Sequence, residues 1–242
     1  KRACGNTTAK ITGYTIEVIM PFIKLVVGTT MVVMLACSGD VYYKNSGQKL
    51  LKTYKGNYAI VVSKKNFALF VVSREKIIKK YTIAYGLNPD KKPKLYENDN
   101  RTPEGLYYVT EILSMDAPKH SSSYKKLQGM NRVYFKSSKG HYKFGYPDVD
   151  LGDNAYGPRF YRLSYPNDND IKRYEQAKIH GALPLYNGKM PSIGGGIAIH
   201  GNNDPDSIGH LATSGCIRML NDDVIELEQF IQIGTPVYIV PD

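Results

Sequence analysis

The chain has 242 residues, of which 42% are hydrophobic and 22% are charged, a composition typical of a globular protein with a buried core. Its formal net charge of +10 favours anionic surroundings such as nucleic acid, acidic lipid or an anionic wall polymer. The sequence contains no basic recognition helix, zinc-finger spacing or RNP-like aromatic motif, so nucleic acid is not expected as a partner. The cysteines Cys4, Cys37 and Cys216 lie far apart and do not form a disulfide framework.

The N-terminal segment over 1–37 has the features of an export signal. In "MPFIKLVVGTTMVVMLACSGD", Lys24 precedes an uncharged apolar run over 25–36, and Met20 is the expected start. The run is shorter than a membrane span of about 20 residues and matches a signal-peptide core of about 7–15 residues. Cys37 follows "MLA", which is similar to the bacterial lipobox, so we predict a lipid anchor on Cys37. The alternatives are a plain cleaved signal and an uncleaved anchor helix, and all three export the chain.

A polar, lysine-rich stretch over 38–56 predicts a tether, and strand-like runs follow it. These runs are rich in Val, Ile, Tyr and Phe and are separated by short polar turns, as is typical of β-strands. The predicted strands are 58–63, 67–73, 76–86, 102–112, 156–166 and 235–240. A hairpin turn is expected around Asn66 in "KNF". The rest of the stretch over 114–192 carries scattered Pro, Gly, Asn and Tyr and gives only weak signals.

The clearest helix signal is "NDDVIELEQFIQIG", which follows Cys216. Asn221 is expected to cap this helix and Gly234 to end it, because Asn is favoured at the N-cap and Gly just past the C-terminus. Three apolar side chains share one face, namely Val224, Leu227 and Ile231. A shorter helix is expected in "NDNDIKRYEQAK". The sequence therefore predicts one mainly β domain over 57–242 with a helix behind Cys216.

A histidine and a cysteine stand in unusual local contexts near the C-terminus. His200 ends the apolar alternation of "GGGIAIHG", which would carry its imidazole to a strand end. A polar, turn-rich loop follows and is long enough to return Cys216, in "HLATSGCIRM", to the side of His200. A nucleophilic thiol needs a base within hydrogen-bond reach and donors that stabilise the oxyanion. The two residues are therefore candidates for a reactive pair.

Several neighbours of the pair have side chains or backbone suited to support it. Gly201 and Gly215 allow backbone N–H groups to approach a substrate, and Thr213 and Ser214 offer hydroxyls as orienting groups. If the chain is extended after the cysteine, the period of two places Arg218 on the same face as the sulfur. There its guanidinium would lower the pKa of the thiol or hold a substrate carboxylate.

Other readings of these residues compete with the reactive pair. Taken alone, Cys216 fits a buried, unreactive thiol, and His200 fits a histidine hydrogen-bonded at a strand end for structural reasons. However, unpaired cysteines without a function are rare in exported proteins. A second "IHG" contains His180, but no glycine-rich segment precedes it, so His180 is not predicted to be the base. His120 and His141 lie in polar segments expected at the surface, and His210 is expected in a loop. A zinc site would lack a fourth ligand, so no metal and no other cofactor is predicted.

The motifs also carry a family resemblance. "IHG" followed by "SxGC[IV]R[ML]" resembles the catalytic signature of the L,D-transpeptidase (YkuD-type) family. "TPEGLYYV", "YGPRFYRLSYP", "GGGIAIHGNNDPDSIG" and "IGTPVYI" are similar to further segments of that family, in the family's order. The resemblance implies a β-sandwich-like domain in which Cys216 is the nucleophile and His200 the general base and acid. It also implies backbone at Gly215 and Cys216 in the oxyanion site and Arg218 near the substrate.

The activity implied by this resemblance is cofactor-free acyl transfer on peptidoglycan stem peptides. The thiolate attacks the carbonyl of the third stem residue, terminal D-alanine leaves, and the thioester passes to an amine to form a crosslink. With water as acceptor, the same site is an L,D-carboxypeptidase. A wall-binding lipoprotein with a decayed site is a further alternative, supported by Ser214 where the family usually has histidine. The sequence does not predict the oligomeric state.

Overall fold

The computed structural model describes residues 39–241. Within them the strands are β1 (Ala59–Ser63), β2 (Ala68–Val72), β3 (Ile77–Thr82), β4 (Tyr85–Gly86), β5 (Gly105–Ser114), β6 (Tyr142–Lys143), β7 (Tyr146–Asp150), β8 (Arg159–Leu163), β9 (Ala198–His200), β10 (Leu211–Thr213), β11 (Ile217–Arg218) and β12 (Pro236–Val240). The helices are α1 (39–50), α2 (Ser122–Asn131), α3 (Asp168–Ile179) and α4 (Asn221–Leu227). The prediction of a mainly β fold is confirmed.

One mixed sheet dominates the compact unit, which begins at Ser46. Its eight strands run in the order β11-β9-β8-β5-β12-β1-β2-β3, with two further two-stranded sheets, β10-β4 and β6-β7. The sheet curls until its two edges meet, because Ala84, just after β3, exchanges both backbone hydrogen bonds with Arg218 of β11 at 2.8 Å. The sandwich-like arrangement is therefore made by one curled sheet, and β11 is held on both sides.

The first hairpin shows why the sequence folds this way. β1 and β2 are continuous apolar runs in which every residue is buried, as expected for strands covered on both faces. They pair antiparallel from Ala59 opposite Val72 to Ser63 opposite Ala68, and the Phe67 N–H bonds to the Lys64 carbonyl across the turn. The predicted "KNF" hairpin is confirmed.

The two faces of the sheet pack against different groups. Tyr161 and Ile199 point into the large core, where Val224 and Leu227 of α4 also pack. Their strand neighbours Phe160 and Ala198 point the other way, into a smaller cluster covered by Leu127 of α2. Cys216 packs against this smaller cluster, so the second face is the one that carries the cysteine.

Parts of the chain differ from the sequence expectation. α2 was not predicted, because only Leu127 and Asn131 of its residues are buried and an apolar stripe is missing. Residues 39–50 form α1 in a stretch predicted as a polar tether, and the tether role stays a prediction. The signal segment and Cys37 lie outside the described residues. Among the described ones, no helix has the length and apolar character to cross a bilayer.

α4 has a different cap from the one predicted. Its N-cap residue is Leu220, which offers no capping side chain, and Asn221 is the first helical residue. The Asn221 side-chain oxygen instead accepts a hydrogen bond from the Asn202 N–H at 2.8 Å. The three predicted apolar residues are all buried, but only Val224 and Leu227 lie on α4. The α-helix ends at Leu227 and a 3-10 turn over Glu228–Phe230 follows, so Ile231 lies beyond the helix and the predicted end at Gly234 is wrong. The amide of Asn221 thus ties α4 to the segment that follows His200.

Candidate active site

β9 and β11 bring the histidine and the cysteine to the same face of the sheet. The two strands are parallel neighbours, with Ile199 beside Ile217 and His200 beside Arg218. Since side chains alternate along a strand, the register extended by one residue puts Cys216 beside Ala198 on the face that carries His200. The two isoleucines point into the core and fix that register.

A cavity opens on this face and collects most of the predicted site residues. It is lined by Phe135, His141, Leu151, Ala155, Tyr156, His200, Thr213, Ser214, Cys216 and Arg218. A neighbouring cavity shares Thr213, Ser214 and Arg218 with it and extends between β10 and the β6-β7 hairpin. The structure therefore brings the candidate nucleophile, base and arginine together at the end of one cleft.

The imidazole of His200 is fixed in one tautomer. Its Nδ1 lies 2.6 Å from the carbonyl oxygen of Gly201, which can only accept, so Nδ1 carries the proton. Nε2 is then the unprotonated nitrogen. Burial, and secondarily the charge of Arg218, lowers the pKa of His200 to about 3. His200 is therefore a neutral imidazole at physiological pH, with a nitrogen able to take a proton.

The thiol of Cys216 is protonated in the resting site. Burial raises the pKa of the Cys216 thiol, and this outweighs the lowering by a backbone hydrogen bond from Ala198 and by the charge of Arg218. The sequence led us to expect Arg218 to lower this pKa, and it does so only in part. Sγ lies 3.6 Å from the carbonyl oxygen of Gly196. The cavity thus holds a neutral thiol and a neutral imidazole, not a thiolate–imidazolium ion pair.

The turn before the cysteine is held by hydroxyls. The Thr213 Oγ1 donates to the Cys216 carbonyl at 2.7 Å and accepts from the Gly215 N–H at 3.1 Å. Gly215 has φ of +133°, and a Cβ there would lie 2.6 Å from the Arg101 carbonyl oxygen, so only glycine fits. The Gly215 N–H, expected in the oxyanion site, is already engaged by Thr213. Ser214 is exposed at the rim of the cavity.

Thr213→Val is expected to loosen this turn. Valine keeps the shape of threonine but removes both hydrogen bonds, so we expect a loss of about 1–3 kcal/mol in the free energy of unfolding. Urea denaturation of the variant measures the loss, and Thr213→Ser, which keeps the hydroxyl, is the matched control. A valine variant as stable as the wild type would mean that these bonds do not hold the turn.

Arg218 is buried and largely committed to protein partners. Its Nη1 donates to the Ser207 hydroxyl at 3.0 Å and lies 3.6 Å from a carboxylate oxygen of Asp204. Its Nε is buried without a partner. Burial also lowers the pKa of Arg218, although the charge of Asp204 opposes this. The guanidinium thus borders the cleft with its Nε donor unpaired within residues 39–241, while Asp204 balances its charge.

Gly201 supports the base through its backbone. A Cβ at Gly201 would lie 2.4 Å from the side-chain oxygen of Asn221 and 2.8 Å from Cδ of Pro158. Any other residue would therefore clash at this position. Its carbonyl orients His200, and the Asn221 side chain holds the next N–H, that of Asn202. Gly201 therefore contacts the imidazole through its carbonyl. Its N–H, expected to face a substrate, instead donates to the Arg159 carbonyl at 3.2 Å.

The other histidines fall in different places. His180 is exposed at the C-cap of α3, where its Nδ1 contacts the Gln176 carbonyl. His210 is exposed in its loop, with its ring stacked on Phe144 at 4.3 Å. His141 was expected at the surface but lines both cavities, and burial lowers its pKa. Its polar, lysine-rich sequence context gave no sign of this, because the β6-β7 hairpin brings it over the cleft.

An aromatic residue beside the base was also missed. The ring of Tyr156 meets that of His200 edge-on at 5.2 Å between centroids, and the ring of Phe160 stacks on it at 5.9 Å. These rings exclude water from the imidazole and account for its neutral state. Within residues 39–241, no three His, Cys, Asp or Glu side chains gather where they could hold a metal ion.

Known proteins match this sequence, one of them over most of the chain and the other over a short segment. YqjB of Bacillus subtilis (strain 168), named as an L,D-transpeptidase-type protein, is 28% identical over 187 residues, which cover 77% of this chain and 73% of YqjB. YkuD of Bacillus licheniformis, named in the same way, is 54% identical over 43 residues, 18% of this chain and 26% of that protein.

Solved structures give a looser match. Bd1075 of Bdellovibrio bacteriovorus is 23% identical with a TM-score of 0.43, and Pgp2 of Campylobacter jejuni, a helical cell shape determining protein (K307A mutant), is 20% identical with a TM-score of 0.44. Each match covers 77% of this chain and 48% of the other, so the chain spans about half the length of these proteins. The model of the YkuD family, the L,D-transpeptidase catalytic domain, matches residues 57–239. The chain belongs to the L,D-transpeptidase (YkuD) catalytic domain family.

Proposed function

We propose that this protein is an L,D-transpeptidase that uses Cys216 to acylate itself with a peptidoglycan stem peptide and His200 to move the protons. The observation that carries the proposal is the fixed tautomer of His200. The Gly201 carbonyl holds Nδ1–H, so Nε2 is a proton acceptor in the cavity that also holds Cys216. Here the backbone carbonyl orients the base, as a carboxylate does in a catalytic triad.

The resting pair determines the order of proton movement. Because the thiol starts protonated, Cys216 attacks the carbonyl of the third stem residue as Nε2 of His200 takes its proton. The imidazolium then gives that proton to the nitrogen of the departing D-alanine, and a thioester remains. In the second step an amine attacks the thioester, loses its proton to His200, and the thiol is restored when the C–S bond breaks.

The oxyanion of each tetrahedral intermediate needs donors at the catalytic turn. The Gly215 N–H is held by Thr213, so we assign the Cys216 N–H to this role. Arg218 supports the site through its Nε donor, which has no partner among the described residues, at the border of the same cleft. Thr213 acts by fixing the turn and does not contact the substrate in this proposal.

Purified full-length protein and disaccharide stem tetrapeptide test the proposed activity, with products read by mass spectrometry. Transpeptidation predicts release of D-alanine and a dimer linked between third residues. Tripeptide without dimer would identify water as the acceptor and make the protein an L,D-carboxypeptidase. Unchanged substrate would favour the decayed wall-binding lipoprotein.

We propose further that the protein works in the cell envelope and is anchored there by lipid on Cys37. The support is the basic residue, short apolar run and "MLAC" of the N-terminal segment. Cys37→Ser should leave an unprocessed precursor of higher mass in the membrane fraction. A plain signal predicts a soluble mature form that is indifferent to Cys37→Ser. Peptide mapping of the N-terminus identifies an uncleaved anchor, which would retain the residues before Cys37.

A further inference from the structure

A row of side chains crosses the sheet beside the candidate nucleophile. In the register of β5, β8 and β9, Glu111 lies opposite Arg162, and Arg162 lies opposite Ala198. The parallel register of β9 and β11, extended by one residue, continues this row to Cys216. Side chains of one row share a face, so Arg162 and Cys216 flank the short side chain of Ala198. Arg162 was not singled out by any sequence pattern.

Both residues approach the same exposed glycine. The Cys216 Sγ lies 3.6 Å from the Gly196 carbonyl oxygen. On the other side, the Arg162 Nη1 lies 3.9 Å from the point where a Cβ on Gly196 would be. Gly195 and Gly196 are exposed and carry no side chain, so the space over them is open to solvent. A small molecule placed there would meet the sulfur and the guanidinium together.

The charge of Arg162 is available for a ligand. Its Nε donates to Glu111 at 2.9 Å, but the same carboxylate is also paired with Lys126, so the three groups carry a net positive charge. The Arg162 side chain is 33% exposed, and its guanidinium lies over the ring of Phe160 at 5.5 Å. The ring and Glu111 fix the position of the guanidinium, which leaves its outer nitrogens to bind an anion.

Arg218 differs in each of these respects. Its guanidinium is buried, is bonded to Ser207 and faces the carboxylate of Asp204, so its charge is balanced. It lies in the next row, beside His200, toward the β6-β7 side of the cleft. Arg162 lies in the row of the thiol itself, on β8, with Ala198 of β9 between the two. The two arginines therefore border two different subsites.

We propose that Arg162 is the carboxylate-binding residue of a subsite for the amino acid whose nitrogen is exchanged at Cys216. This proposal rests on the proposed function. In the first step the departing D-alanine would have its carboxylate against Arg162, and in the second step an acceptor with a carboxylate next to its amine would occupy the same place. The acceptor nitrogen forms the new C–N bond to the thioester carbonyl as the C–S bond breaks. Its proton leaves through His200, and the sulfur regains a proton.

The same place serves both steps because the second step with D-alanine is the reverse of the first. An amine that lacks the neighbouring carboxylate would lose the contact with Arg162 while keeping its nucleophilic nitrogen. Acceptor choice therefore reports on Arg162 separately from the formation of the thioester.

The test compares D-alanine and D-alaninamide as acceptors for the enzyme acylated by stem tetrapeptide, with isotope-labelled acceptors followed by mass. We expect the wild type to favour D-alanine by about 10- to 100-fold, the scale of one charge-assisted hydrogen bond. Arg162→Gln and Arg162→Ala should bring the ratio close to one, and Arg162→Lys should restore part of it. Lys126→Ala leaves Glu111 to balance Arg162 alone, so it should lower the preference in part. Lys125→Ala, at an exposed neighbouring position of α2, is the matched control and should keep the wild-type preference.

The outcomes separate this proposal from the one on which it rests. A carbapenem adduct on each Arg162 variant shows that the variant is folded and its thiol competent. An unchanged preference for D-alanine in a competent Arg162→Gln enzyme would overturn the subsite alone. A wild type that forms no acyl-enzyme with tetrapeptide or carbapenem would overturn the proposed function and, with it, the subsite.

Discussion

Cys216→Ala is expected to abolish covalent modification by a carbapenem, which should add its mass once to the wild-type protein. The strained acyl group of the drug suits attack by a thiol, and Cys216 is the free cysteine of the described residues. Intact-protein mass spectrometry measures the adduct, and peptide mapping places it. Cys37→Ser is the matched control, because it changes the cysteine of the N-terminal segment and leaves Cys216 in place, and it should still be modified.

Two outcomes would contradict the role of Cys216 as the nucleophile. A wild-type protein left unmodified at high drug excess would favour the decayed site. An adduct that persists in Cys216→Ala would place the nucleophile elsewhere. Because the thiol lies beside the small cluster of Phe160 and Ala198, alanine fits the space without strain, so loss of the adduct would not reflect unfolding.

His200→Ala is expected to slow acylation by about 10²- to 10⁴-fold, the usual contribution of a general base. The thiol starts protonated, so without Nε2 its proton has no acceptor fixed in place. The rate of carbapenem acylation measures the effect by stopped flow. His180→Ala is the control, since His180 is exposed on α3 with its ring against the Gln176 carbonyl, and it should change little. Reversed behaviour of the two histidines would refute the assignment of the base.

The pH dependence of thiol reactivity follows from the lowered pKa of His200 and the raised pKa of Cys216. His200, with its pKa lowered to about 3, is an unprotonated base above that pH, and the raised pKa of Cys216 keeps the thiol protonated at neutral pH. Alkylation of Cys216 by iodoacetamide should therefore rise continuously with pH from about 5 to beyond 9. A thiolate–imidazolium pair would instead give a plateau between about pH 5 and 8. Such a plateau would contradict the neutral pair.

The sequence was most informative where local patterns determine structure. Continuous apolar runs predicted β1, β2 and β12, and the two buried residues of α4, Val224 and Leu227, were predicted, although the helix is shorter than expected. α2 was missed because its few buried residues leave no periodic signal. The cap of α4 was misassigned because a distant N–H, that of Asn202, takes the Asn221 side chain. Local patterns do not report such long-range partners.

The same limit applies to the candidate site. The local structure around His200 and Cys216 could be predicted, because glycines and short apolar alternations indicate a strand end and a tight turn. The fixed tautomer of His200 and the engaged N–H of Gly215 depend on hydrogen bonds that need three-dimensional positions. Arg162 and His141 reach the thiol and the cleft through strand register and a folded-over hairpin. Neither arrangement produces a local sequence motif, because the residues involved are far apart in the chain.

The central claim is that Cys216 forms a thioester with a stem peptide. Wild-type protein mixed with disaccharide tetrapeptide and quenched in acid within milliseconds to seconds should gain the mass of the tripeptide acyl group. Peptide mapping should place the added mass on Cys216, with one D-alanine released for each acylated protein. Release of D-alanine without added mass at Cys216, or no release at all, would contradict the account.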